Sequence, residues 1–153
     1  MKKFLSLAIV VFFLISAGPV LAQVQQSSAA QAKQWVERAD KYVQEVGLKA
    51  AIAEFNNPKG KFFKGDLYIS AFQFDGKVIA FPQDPSKIGL NRINYKDVDG
   101  KLFIREFTEV AKTKGAGWVD FKYLNRKTNQ VGQKTGYVKK VAKDVYLVCS
   151  ADK

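Results

Sequence analysis

The chain contains no histidine and one cysteine, Cys149. This removes the commonest general base, the usual zinc ligand and the Ser-His-Asp or Cys-His arrangements of hydrolases in one step. Cys149 lies in the apolar run Val145-Tyr-Leu-Val-Cys149 without a partner base, which reads as a buried structural thiol, and a lone cysteine can form no internal disulfide. One calcium-like spacing is present. Counting Tyr95 as position 1, Asp97, Asp99, Gly100 and Glu106 fall at positions 3, 5, 6 and 12 of an EF-hand loop. Position 1 is Tyr instead of Asp, and Asn91-Arg-Ile-Asn94 is too short and irregular to be an entering helix. Asp99-Gly100 therefore reads as a turn and Glu106 as a solvated helix residue. Gly132-Gln-Lys-Thr-Gly136 is too short for a phosphate-binding loop. Asp66, Asp75, Asp84, Asp97 and Asp99 all sit among turn residues, where Asp caps its own backbone, so nothing points to paired-carboxylate catalysis. The expectation is a protein that is not an enzyme and uses neither cofactor nor metal.

Binding chemistry remains. Twelve Phe, six Tyr and two Trp are more aromatic surface than a domain of this length needs for its core. Lys134 stands in an apolar strand-like run, where a lysine either lies on a solvated face or meets an anion. Tyr68 and Phe72 share one face of a strand, as do Trp118 and Asp120, because side chains alternate with period two. Lys134 and Tyr137 fall on opposite faces unless a bulge at Gly136 re-aims one, and a strand glycine marks a bulge or a close approach.

The elements that must position these residues begin at Ser28-Ala-Ala-Gln31, a capping box. Trp35, Ala39, Tyr42, Val43, Val46, Ala50 and Phe55 follow helical spacing from there, with Gly47 a bending point and Asn56-Asn57-Pro58 a stop. Lys59 to Lys64 reads as a loop. Two alternating runs, Leu67 to Phe74 and Lys77 to Phe81, are joined by Asp75-Gly76, the dipeptide of a type I′ hairpin turn. Residues 82 to 100 hold two prolines, two glycines and scattered Asn and Asp, a length without period that suggests a covering loop with a function. Leu102 to Lys114 predicts a helix with Phe103, Phe107, Val110 and Ala111 on its apolar side, stopped by Gly115. Strands follow at Trp118 to Leu124, Gln133 to Val141 and Val145 to Ser150, separated by turns at Asn125 to Gly132 and Ala142 to Asp144. The fold class is α+β, an antiparallel sheet of about five strands with a long N-terminal helix and a second helix packed on it.

The order of these pieces resembles a single Cache domain of the second type, an extracellular small-molecule sensor domain of PAS-like build. The residues that carry the resemblance are Gly65-Asp-Leu-Tyr68, Pro82-Gln-Asp-Pro85, Ile88-Gly89, Asp99-Gly100-Lys101, Gly115-Ala-Gly-Trp-Val-Asp-Phe121, Lys134-Thr-Gly-Tyr-Val138 and Val148-Cys149, covering roughly residues 30 to 150. Phe81 stands where the family pattern has His, and Gly136 where it has Ser. The resemblance implies a ligand pocket at Tyr68, Phe72, Phe81, Trp118, Asp120, Lys134 and Tyr137, between the sheet and the loop of residues 82 to 100. A short carboxylate bound at Lys134 is the ligand it suggests.

Lys2 and Lys3 precede an apolar run from Phe4 to Ile15, and Val20-Leu21-Ala22 suits a signal peptidase, so residues 1–22 read as a secretory signal with the mature chain beginning at Gln23. Residues 23–28 read as a polar, disordered leader and 29–153 as one domain. After signal cleavage no transmembrane span is expected, which places the protein in the periplasm or outside the cell. Twenty-five basic against fourteen acidic residues give a net charge of +11, of which Lys2 and Lys3 supply two. That balance favours anionic partners. Nucleic acid is not among the expected ones, since no basic helix or aromatic RNA-binding motif is present. The expected function is an exported sensor for a small organic acid that signals through a separate membrane receptor, kinase or transporter. The alternative is a basic interaction protein with a plugged pocket, binding an anionic polymer or a partner protein.

Overall fold

The Ser28 hydroxyl accepts the Gln31 amide at 3.2 Å, and the Gln31 side chain accepts the Ser28 amide at 2.9 Å. This capping box opens helix α1, Ala29–Val46, where the sequence places it. The computed structural model describes residues 28–125 and 129–153. The expected signal, residues 23–27 of the leader and residues 126–128 of the expected turn lie outside them.

Gly47 does more than bend the helix. Its φ of 82° and ψ of 155° end α1 and start α2, Leu48–Phe55. The break re-phases the apolar stripe: α1 buries Ala32, Val36, Ala39 and Val43, while α2 buries Ala51 and Phe55. Ala50 and Val46, expected on the buried side, are exposed.

The end of the segment expected as a loop, β1 (Phe63–Lys64), pairs with β2 (Leu67–Tyr68), the start of the expected first hairpin strand, which breaks at Ile69. The hairpin itself is β3 (Ser70–Gln73) and β4 (Val78–Ala80). Its turn differs from the expected type I′. The Gly76 amide donates to Gln73 O and the Gln73 amide to Lys77 O, and only Gly76, at φ 91°, adopts a positive φ. That is a longer loop closed by a glycine bulge, and Asp75 instead caps the Lys77 amide with its carboxylate.

Helix α3 (Phe103–Thr113) and strands β5 (Ala116–Asn125), β6 (Gln130–Lys140) and β7 (Val145–Asp152) complete the fold. The five long strands form one antiparallel sheet in the order β4-β3-β7-β6-β5. Helix α1 packs on one face, against β6 and β7, and α3 on the other, against β5 and β6. Two cores result. One joins α1 and α2 to Ala71, Tyr137, Leu147, Cys149 and Ala151; the other joins α3 to Phe72, Phe121, Val138, Tyr146 and Val148.

The loop between β4 and α3 touches both edges of this sheet. At the β4 edge, Leu90 O accepts the Val78 amide, Gly89 N donates to Val78 O and Arg92 N donates to Gly76 O. At the β5 edge, the Asp97 carboxylate accepts the Lys122 amide at 3.0 Å and the Lys101 ammonium donates to Asp120 O at 2.6 Å. Asp97 also accepts the Asp99 and Lys101 amides. Burial raises its carboxyl pKa, and the three amides outweigh that, holding it below the usual carboxylate value.

Candidate ligand-binding site

Between the α3 face of the sheet and the covering loop lies an open cavity of about 710 Å3. Alternation along the strands dictates its floor: Ser70 and Phe72 from β3, Val148 and Ser150 from β7, Lys134 from β6, and Phe121 and Tyr123 from β5. Helix α3 adds Phe103, Ile104 and Phe107, and the loop adds Phe81, Gln83, Lys87, Arg92 and Tyr95.

The aromatic wall is built ring upon ring. Phe103 stacks on Phe121 at 4.5 Å and 6°, and Phe107 meets Phe121 edge-on at 5.6 Å. Tyr68 meets Phe81 edge-on at 5.5 Å and donates its hydroxyl to Gln83 Oε1 at 3.0 Å. Burial pushes the Tyr68 phenol far above its ordinary pKa, so it stays a neutral donor.

Among the described residues four cations line the cavity, three of them paired. Lys134 Nζ lies 2.7 Å from Asp152 Oδ1, a cross-strand pair set by the β6–β7 register. Lys87 lies 3.3 Å from Asp84 and 4.7 Å from the centre of the Phe81 ring. Lys153 borders the cavity, but its ammonium pairs with Asp120 on the other face of the sheet. The Arg92 guanidinium sits 3.6 Å over the Tyr95 ring and has no carboxylate partner among the described residues.

Of the seven residues the sequence singles out, Tyr68, Phe72, Phe81 and Lys134 face this cavity. Trp118, Asp120 and Tyr137 do not. They project from the opposite face, since β6 runs against β5 and β7 without a register shift and no bulge re-aims Tyr137. There the Tyr137 ring packs 4.9 Å from the Trp118 ring, and its hydroxyl donates to Glu37 of α1 at 3.3 Å. Lys139 clamps the same helix through Glu37 and through Asp40 at 2.9 Å. Asp120 is held below its ordinary pKa by Lys153 and Thr135. Gly136 marks a close approach, but of protein: a Cβ there would lie 3.1 Å from the Phe107 ring and from Ser150 Oγ.

The residues missed are Arg92, Lys87, Asp152 and the rings of α3. Phe103 and Phe107 were legible as an apolar helix stripe but not as cavity wall. Asp152 became a partner of Lys134 only through strand register.

No curated protein sequence matches the chain at a significant level. Several solved structures share the fold, three of them over most of both chains. A methyl-accepting chemotaxis protein from Vibrio parahaemolyticus has a TM-score of 0.66 at 19% identity, over 79% of this chain and 85% of that one. A structure described as the periplasmic sensor domain of a chemotaxis protein has a TM-score of 0.58 at 17% identity, over 79% and 87%. A third, from work on carboxylic acid recognition by a Cache chemosensory domain, has a TM-score of 0.65 at 20% identity, over 79% and 90%. The sequence profile described as Single Cache domain 2 matches residues 20–152. The chain belongs to the Single Cache domain 2 family.

Proposed function

We propose that the protein is an exported sensor module that binds a small organic acid in this cavity and passes its occupancy to a separate membrane receptor, kinase or transporter. The observation that carries the reading is an open, aromatic-walled cavity with cations on its lining, the composition of a specific pocket for a ligand with an apolar body and a charged end. The solved relative described by carboxylic acid recognition supports the same ligand class. A plugged pocket, the premise of the polymer-binding alternative, would need side chains to fill this volume. Phe81 lines the cavity without filling it. The reading is one of binding: Lys134 and Lys87 on the lining are held by Asp152 and Asp84, an arrangement that presents fixed charge to a ligand.

Thermal unfolding against a panel of organic acids, from two carbons upward, tests the reading. A ligand confined to the folded state stabilises it by about 2.7 kcal/mol at a hundredfold excess over Kd, a rise of several degrees for a domain of this length. At least one acid is expected to raise the melting temperature at millimolar concentration, and a panel without a hit overturns the proposal. Export is tested separately by intact mass, expected to begin at Gln23. A membrane-bound species retaining residues 1–22 would overturn the reading of an exported module.

A further inference from the structure

We infer that the acid this pocket takes carries an aromatic body and is anchored at Arg92. The inference rests on the reading of the cavity as an acid site and adds the ligand's size, its shape and the charge that holds it. A volume of about 710 Å3 is that of sites for ligands of roughly ten or more non-hydrogen atoms. A two- or three-carbon acid would leave most of it to water, against buried phenylalanine rings.

The rings form a run that starts at a cation. Arg92 lies 3.6 Å over Tyr95, Tyr95 meets Phe103 edge-on at 5.8 Å, and Phe103 stacks on Phe121 at 4.5 Å. Tilted and stacked rings of this kind accept one more flat ring with a gain beyond the area it buries. Stacking occupies the face of the guanidinium and leaves its in-plane N–H groups for a carboxylate, which they grip in bidentate fashion. Charge accounting selects the same residue. Lys134 and Lys87 already hold Asp152 and Asp84, so a ligand carboxylate must compete at each, and the Lys153 ammonium is held by Asp120 on the other face of the sheet. At Arg92 it displaces no carboxylate of the described residues. The anchor is also placed firmly, because the Arg92 amide donates to Gly76 O at 2.8 Å at the hairpin.

Calorimetric titration of the purified protein with phenylacetate and indole-3-acetate, against acetate and propionate, tests the proposal. Phenylacetamide serves as the neutral control. The better aromatic acid is expected to bind about tenfold more tightly than acetate, and phenylacetamide or the Arg92→Gln variant to lose about tenfold or more, the loss of a charge-assisted pair. Circular dichroism confirms that the variant is folded, and the amide control needs no variant. Acetate binding as tightly as the aromatic acids would overturn the aromatic body while the acid-site reading stands. Aromatic acids that bind Arg92→Gln unchanged, or phenylacetamide binding as well as phenylacetate, would overturn the anchor. If no acid of either kind binds, the acid-site reading itself fails.

Discussion

A lysine in an apolar strand is costly only if its charge goes unanswered, and Lys134 is answered by Asp152 from the neighbouring strand. Their side chains are 20% and 32% exposed, between the surface regime, where ion pairs contribute little, and the buried one, where removing a partner is expensive. An ammonium waiting for an anion could be removed at little cost to the empty protein. A paired one cannot. Lys134→Met leaves a half-buried carboxylate alone and is expected to destabilise the unliganded protein by about 1–2 kcal/mol. Asp152→Asn in the same background should recover most of that. Urea unfolding of both single variants and the double variant gives the coupling. Additive effects would mean that the pair contributes nothing and that the Lys134 ammonium is free for ligand. The sequence shows Lys134 as a residue needing an explanation, but the choice between solvent, protein anion and ligand depends on the β6–β7 register, which no local pattern encodes.

At the scale of elements, the local signals are the ones that translated directly into structure. Capping chemistry at Ser28, the apolar stripe of α3 and the alternation of β5 to β7 each involve neighbours in sequence. What escaped them is non-local. Parity alone separates Tyr137 from Lys134 unless a bulge intervenes; that β6 carries no bulge, and that the face of Trp118, Asp120 and Tyr137 is the one turned away from the cavity, is settled only by the pairing of β5, β6 and β7. Gly47 illustrates a local signal read too weakly. Its φ of 82° and ψ of 155° belong to a region only glycine visits readily, so Gly47→Ala is expected to lower stability by about 1–3 kcal/mol. The melting temperature of the variant measures this; an unchanged value would mean that α1 and α2 can fuse without strain. The Asp97 tether makes a pH prediction of definite sign. Its carboxyl titrates lower in the folded than in the unfolded protein, so its contribution is present above the unfolded value of about 3.9 and is lost as pH falls through the folded one. Asp97→Ala should cost about 1–2 kcal/mol at neutral pH, with allowance for the partly exposed setting. It should also flatten the acid limb of the stability curve, measured by urea midpoints between about pH 6 and pH 3. An acid limb as steep as that of the wild type would assign it to other carboxylates.

For the whole molecule, the excess of basic over acidic residues, +11 in the full chain including Lys2 and Lys3, biases every encounter toward anions without choosing among them. That long-range contribution is screened within about 8 Å at physiological ionic strength. Association of an organic acid is therefore expected to slow as salt is added, while dissociation, governed by contacts inside the cavity, changes less. Stopped-flow rates at two salt concentrations check this, and a salt effect confined to dissociation would contradict it. The same scale exposes a hazard common to sheet proteins. An open five-stranded sheet has two lateral strands, each with unpaired backbone groups that invite another chain to polymerise along them. Here a single connection shields both: residues 89–92 hydrogen-bond along β4, while Asp97 and Lys101 occupy the middle of β5. The pocket's cover is thus also the molecule's guard against aggregation. It cannot swing away as a hinged lid without baring both flanks, so an occupant of the open cavity is expected to come and go past a cover that stays fastened at its two ends.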